Sequence, residues 1–496
     1  MNDKQSNTEG ITLTFTGDIG FDKYMSDKWK DKELISEDIR DIFRASDHVI
    51  INVEGAIINR ADATLRQVSS VEEQMLHTID PDAVPFLREL PADIWTISNN
   101  HIMDAGAAGL KSTLDLADKY SVRTVGAGMD KNEAARPIYI DMNDDTSRIP
   151  ESSDQTEPES PDSLKSESQT DPESPDSLKS DSQTDPEFPD SLKSDSQTDP
   201  EFPDSLPHPG GIGLFSVCYR PDCVEADDTH AGCISWADMD TISNIIKEIK
   251  GRCRWCIVIA HGGEEFTSLP SPYTRDRYLK YLELGADIVV GHHPHVPMNY
   301  EIVPVSPDGA TTAGSDLSGM TGSESQRDPG TKSVKCEGEK LIIYSLGNFI
   351  FDTDYQRSQL NTDRGIILTL SFTKDSYSFK AYGTRLDRTV ERIGLYALPE
   401  IFEDVPPDEY EKLAPLSAKA FVAATKKQYT YLYPAIYTDA DDDKWMECFM
   451  DPERDGRMPG EALDFEVVLP LALKADKEEW KKSRLEGVKK YILDQL

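Results

Sequence analysis

Hydrophobic positions along the chain follow two periods. Residues 11–16 switch sides at every step, as a half-buried strand requires, and the run breaks at Gly17-Asp18-Ile19-Gly20. Residues 49–53, 92–97, 121–125 and 137–142 are further short apolar runs rich in β-formers. Helical spacing lies between them, over 37–44 behind Ser36 as N-cap, and over 107–120 with Leu110, Leu114 and Ala117 on one face. The pattern resumes with a strand at 211–217 and a helix over 236–250, where Ile242, Ile245, Ile246 and Ile249 share a face. A strand at 255–260, a helix over 274–284 and strands at 285–290 and 340–344 follow. Strand and helix in alternation predict an α/β fold built on a largely parallel sheet covered by helices. Residues 365–372 and 377–384 read as an antiparallel pair at the sheet's edge. Helical patterns at 408–427 and 474–493 predict an α-helical extension over 405–496.

Two stretches break this rhythm. From residue 143 a 14-residue unit, first clear at 159–172, recurs at 173–186 and 187–200 with a truncated copy at 201–206. Each copy offers one Leu, two Pro and a net negative charge, too little apolar surface to offset backbone ordering, so 143–210 is predicted to be a disordered insert. Residues 306–337, rich in Gly, Ser and Thr, read as a second unstructured excursion. One domain, split into 1–142 and 211–404, is the expected organisation.

Charge narrows the partners. The net charge is −39, and residues 151–206 account for 14 of it, with 17 acidic residues against three lysines, so the folded part is acidic too. That argues against a nucleic-acid or anionic-membrane surface. No apolar run approaches the roughly 20 residues needed to cross a bilayer, and residues 1–10 are polar, which predicts a cytoplasmic location. The seven cysteines include a Cys253-x-x-Cys256 pair without a second pair at zinc-ribbon spacing, and are read as buried thiols.

The chemistry lies where the strands end. Asp18, Glu54, Asn100 with His101, His261, and the cluster His292-His293-Pro294-His295 each follow an apolar run, and these ends hold five of the nine histidines. In open α/β sheets the carboxyl ends of strands are where ligands bind. Taken alone, Ser98 to Gly106 also fits an Asx-rich turn that caps a helix through Asp104. Converging carboxylate, amide and imidazole groups suit a divalent ion such as Mn, Fe or Zn, and hydrolysis is the natural chemistry of such a site.

As an ordered set, Gly17-Asp18, Asn52-Val53-Glu54-Gly55, Asn99-Asn100-His101-Ile102-Met103-Asp104-Ala105-Gly106, His261-Gly262-Gly263-Glu264-Glu265-Phe266, His293-Pro294-His295 and Ser345-Leu346-Gly347-Asn348-Phe349 resemble the CapA-type bacterial capsule and poly-γ-glutamate synthesis proteins. That family is related to the calcineurin-like metallophosphoesterases. The resemblance spans about residues 10–385 and implies a layered α/β sandwich with mixed sheets flanked by helices. It implies one or two divalent metals, with Asp18 and His295 on one, Asn100, His261 and His293 on the other, and Glu54 bridging. His101 would protonate the leaving group, with Asp104 supporting it and Glu265 as base or supporting carboxylate. Asn52, Asn99 and Asn348 are the candidate substrate-binding residues, Arg60, Arg66 and Lys111 a candidate basic patch, and His292 the alternative ligand to His293. Two positions depart from the phosphoesterase pattern: Gly20 stands where a histidine ligand is usual, and Ile102 where an acid is. The implied activity is metal-dependent hydrolysis of a γ-glutamyl or other anionic cell-envelope polymer. The alternatives are a phosphoesterase and a non-catalytic scaffold of a polymer-synthesis complex.

Overall fold

In the computed structural model, described over residues 10–63, 75–142, 208–219, 223–305, 331–336, 338–432 and 479–496, strand Ile11–Ile19 is the spine of the larger of two mixed sheets. On one side it pairs in parallel with His48–Val53, followed by Ala92–Thr96 and Arg123–Val125. On the other it pairs antiparallel with Arg364–Phe372. The smaller sheet runs Tyr300–Val303, Lys340–Ile343, Ile288–His292, Cys253–His261, His208–Cys218, Ile138–Ile140, with its four central strands parallel.

Alternation decides which residues join which layer. Leu13, Phe15, Ile50 and Ile94 point toward the second sheet and merge with Ile212, Leu214, Ile257, Ile259, Val289 and Ile342 into one buried core. Val49, Ile51 and Val53, one position out of phase, face the other way and pack with Ile39, Phe43, Leu87 and Leu110 of the helices Glu37–Arg44, Val84–Glu89 and Gly106–Lys119. Helices Met239–Arg252 and Pro272–Leu284 lie against the smaller sheet through Ile242, Ile246, Tyr278 and Leu282. The result is mixed sheets flanked by helices, as the motif order implied.

Three details differ from the sequence pattern. The pair Arg364–Phe372 and Tyr377–Asp387 is not an edge, because Tyr377–Asp387 is itself flanked by Thr331–Cys336 and Arg392–Tyr396. Thr331–Cys336 falls inside the stretch read as an unstructured excursion. Only Val334 and Cys336 are apolar and the other four side chains are polar, so it carries too short a hydrophobic alternation to announce a strand. Likewise, strand His208–Cys218 begins inside the stretch assigned to the first insert. The repeats themselves lie outside the described residues.

The C-terminal helices, Pro407–Leu432 and Glu486–Leu493, belong to the same compact unit as the sheets. Tyr410, Leu413, Leu416, Val488 and Ile492 bury against Leu269, Ile401 and Val405. The Tyr410 hydroxyl donates to the Pro270 carbonyl at 2.9 Å, and Ser417 Oγ lies 3.1 Å from Thr267 Oγ1. Both contacts reach the segment just after Glu265, so the extension props a loop of the candidate site. Leu413→Ala, at a fully buried position, should lower stability by about 2–5 kcal/mol. Calorimetry of the two proteins checks this, and an unchanged melting temperature would mean that the extension does not pack.

Candidate metal centre

Register and two close approaches bring the strand ends together. Asp18 stands opposite Asn52 on one neighbouring strand and opposite Asn348 on the other, and His261 stands opposite His292. The Asp18 N–H donates to the Gly347 carbonyl at 3.0 Å. That approach leaves no room at Gly17, where a Cβ would sit 2.1 Å from the same carbonyl oxygen. A Cβ at Gly20 would meet the Phe351 ring at 2.7 Å. The place of the usual histidine is therefore filled by an aromatic ring, which stacks on His295 with centroids 5.0 Å apart. His293 and His295 hold φ of +95° and +58°, conformations that cost of order 1–3 kcal/mol each and gather at functional sites.

Asp18 accepts from Asn52 Nδ2 at 2.8 Å and lies 3.0 Å from His292 Nδ1 and 3.5 Å from His295 Nδ1. His292 thus holds Asp18, while the Nδ1 of His293 is buried without a hydrogen-bond partner. His295 Nδ1 lies 3.0 Å from Asn348 Oδ1, which turns Nε2, also without a hydrogen-bond partner, toward Glu54 at 3.7 Å and Glu265 at 3.9 Å. His261 Nε2 is 2.9 Å from Asn100 Oδ1 and 3.9 Å from Glu54. Both oxygens of the fully buried Glu54 lack a hydrogen-bond donor.

The donor atoms form two adjoining groups. Those of Asp18, Glu54 and His261 all lie within 4.8 Å of one another, as do those of Glu265, His293 and His295. His295 stands between the two groups, beside His293 and also 3.5 Å from Asp18, and Glu265 stands among the ligand-type side chains. Burial pushes Glu54 up to about 8, with the Asp18 charge adding to it. Burial also drives His261 well below the usual imidazole range and His293 down to about 4, so both rings are neutral. Although burial opposes a charge on His295, the Glu54 and Asp18 carboxylates outweigh it and raise the ring to about 10. Orphaned carboxylate oxygens beside neutral imidazoles fit a divalent cation, which would replace the proton held there.

His101 lies at the side of this cluster, with Nε2 3.1 Å from Asn100 Nδ2 and Nδ1 2.8 Å from Asp104 Oδ2. Burial disfavours its charged form, but the Asp104 carboxylate prevails and holds its pKa above the ordinary value. Asp104 does not cap the following helix, whose N-cap is Ala105 with no side-chain bond. Its second contact is the His77 N–H at 2.8 Å.

Of the expected substrate binders, Asn52 is spent on Asp18. Asn99 donates to the Val53 carbonyl at 2.8 Å and accepts from the His101 N–H at 3.2 Å. Asn348 donates to Gln356 and to the Thr362 carbonyl, both at 3.0 Å. All three are buried, with their side-chain amides engaged inside the protein. Lys111 is exposed and paired with Asp115 at 2.7 Å, and Arg66 lies outside the described residues. Sequence patterns missed His77, whose ring sits edge-on to His101 at 4.3 Å and whose Nδ1 is 2.7 Å from Asp22. His77 follows no apolar run, so the strand-end rule passes over it.

This fold and this donor set define a layered α/β protein with a candidate metal centre, and comparison with known proteins gives the family. Residues 12–353 match the family described as bacterial capsule synthesis protein PGA_cap, and the chain belongs to it. It is 22% identical over 352 residues to the PGA biosynthesis protein CapA of Bacillus subtilis, covering 70% of this chain and 65% of that protein. To the capsule biosynthesis protein CapA of Bacillus anthracis it is 20% identical over 358 residues, covering 72% of this chain and 63% of that protein. The chain thus spans somewhat less than two thirds of either relative.

His293→Ala should lose the bound ion while remaining folded. Asn348→Ala, which frees the His295 ring, should weaken binding by about 10–100-fold. Elemental analysis after dialysis against Mn or Zn checks both, and metal retained at wild-type level in His293→Ala would contradict the assignment.

Proposed function

We propose that the protein is a metal-dependent hydrolase that cuts or trims an anionic γ-glutamyl or related cell-envelope polymer during capsule synthesis. The observation that carries this reading is the Glu54 carboxylate, fully buried with neither oxygen given a donor, whose Oε1 faces both His261 and His295. Asp18, Glu54, His261, His293, His295 and Glu265, with Asn100 at the margin, would hold a divalent ion, which would supply Lewis acidity toward water and toward the charge building up on the scissile group.

The chain's own residues do the rest. Asp18 is fixed by Asn52 and His292, and His295 by Asn348 and Phe351, so the donors meet the ion without rearranging. His101, protonated under the influence of Asp104, is the proton donor to the leaving nitrogen or oxygen. Glu265 has 22% of its side chain exposed, more than any other carboxylate of the cluster, and stands at the open side to take up a proton or bind the ion. The names of the relatives, PGA biosynthesis and capsule biosynthesis, support a polymer substrate. No helix among the described residues is long and apolar enough to cross a membrane.

A phosphoester substrate is the second reading, favoured by the contact of Asn100 with both His101 and His261, the arrangement implied by the phosphoesterase relationship. The two separate in one assay. Metal-loaded protein is given poly-γ-glutamate oligomers or a chromogenic phosphate ester, alongside His101→Gln. Shortened oligomers, with turnover falling about 10²–10⁴-fold in His101→Gln at unchanged metal content, are expected. Release from the phosphate ester alone selects the second reading, and no turnover of either with stoichiometric metal selects a scaffold.

A further inference from the structure

His77, which no strand end announces, is built into the wall of the site. It is 1% exposed and precedes the short strand Thr78–Ile79, which pairs in parallel with Ala56–Ile57, the residues that follow Glu54-Gly55. Gly55, at φ +109°, permits that approach, since a Cβ there would meet the His77 carbonyl oxygen at 2.9 Å. Asp22 closes the other side. It precedes the turn Lys23–Met25 but makes no side-chain cap to it, and its Oδ2 lies 2.7 Å from His77 Nδ1 instead. Lys23 Nζ donates to the Leu76 carbonyl at 3.2 Å, a second tie between the same two segments.

The His77 ring is thereby the middle of a row. On one side it meets the His101 ring edge-on, with centroids 4.3 Å apart and planes at 87°, and on the other it lies 5.0 Å from Phe351, which stacks on His295. The backbone adds a second hold on His101. Asp104 Oδ2 accepts from the His77 N–H and lies at the same 2.8 Å from His101 Nδ1. Burial draws the His77 ring below the ordinary imidazole range in spite of Asp22, so it is neutral and sets no second positive charge beside His101. Its buried Nε2 has no hydrogen-bond partner among the described residues. A histidine kept in a core for its polarity has its nitrogens satisfied as a rule. Here one nitrogen fixes the ring's own orientation, and the ring packs on two neighbours that belong to the site.

We propose that His77 is a positioning residue for His101, holding that ring at a set place relative to His295, with Asp22 as its anchor and Phe351 as the spacer. This rests on the reading of His101 as the proton donor. His77 itself touches neither substrate nor ion and acts through the His101 ring and through Asp104. An imidazole free to turn about its side-chain bonds presents Nε2 to the leaving atom for only part of the time. A misplacement of about 1 Å is enough to lower turnover by about 10²-fold.

The test sets two variants of the zinc-loaded full chain against each other. His77→Asn keeps a donor for Asp22 and removes the ring, whereas His77→Phe keeps a ring and gives up the Asp22 bond. On poly-γ-glutamate oligomers His77→Asn should lose about 10²-fold in kcat at unchanged KM and zinc content, and His77→Phe should recover most of that loss. The reverse order, which a role confined to holding Asp22 produces, overturns the proposal. A second measurement needs no substrate: ¹³C relaxation at His101 Cε1 should show a ring as ordered as the backbone in the unaltered protein and a mobile one in His77→Asn. A mobile His101 ring in the unaltered protein, or an equally ordered one in His77→Asn, overturns the proposal however His77→Phe folds. If the unaltered protein turns nothing over while its ordered His101 ring loosens in His77→Asn, the hydrolase reading falls and the positioning of His101 stands.

Discussion

Asp18 and Glu54 are two carboxylates buried side by side at the end of the central sheet, and Glu54 has no hydrogen-bond donor. With donor atoms within 4.8 Å of each other, their mutual repulsion at an effective dielectric of 20 is about 4 kcal/mol. Burial alone adds several kcal/mol for each uncompensated charge. The chain without metal relieves part of this by raising Glu54 to about 8 and keeping a proton on His295. A divalent cation would relieve it more completely, because it would neutralise both carboxylates and take up the lone pairs of the neighbouring imidazoles. The arrangement is costly without a compensating charge, and much of the surrounding structure is devoted to holding it.

That support comes from the topology. Parallel pairing of Ile11–Ile19 with His48–Val53 and with Asn348–Ile350 sets Asp18, Asn52 and Asn348 side by side. The Gly17 approach to Gly347 lets the segment carrying Asn348 come close enough to steer His295. Phe351 occupies the space beside Gly20 and stacks on the same ring, so one aromatic side chain both removes a usual ligand position and stiffens a remaining one. The positive φ values of His293 and His295 show that the turn is held in an unfavourable backbone conformation by these contacts. On the far side, the extension's Tyr410 and Ser417 secure the segment after Glu265.

Much of this could be read from residue order, and the parts that could not have identifiable causes. The strands were legible because Leu13, Phe15, Ile50 and Ile94 alternate with residues facing the helices. The convergence of Asp18, Glu54, His261 and His293 was legible because parallel α/β topology sends strand ends to one rim. Thr331–Cys336 was hidden because a strand with two apolar side chains, only one of them buried, leaves too weak a hydrophobic signal. The contacts of His295 were not legible, because they depend on which way its ring turns, and Asn348 and Phe351 set that from 53 and 56 positions along the chain. Asn52, Asn99 and Asn348 stand at strand ends like the ligand-type residues, and only the hydrogen-bond network reveals their contacts with Asp18, the Val53 carbonyl and His295. His77 entered through a backbone contact to Asp104, which no periodicity encodes.

The most direct measurement is anomalous X-ray diffraction from crystals grown with manganese and recorded on both sides of the metal's absorption edge. The account predicts a peak within bonding distance of a Glu54 oxygen and of His261 or His295 nitrogen, with Asp18 still held by Asn52 and His292. Full manganese occupancy elsewhere, with Glu54 satisfied only by water, would contradict it.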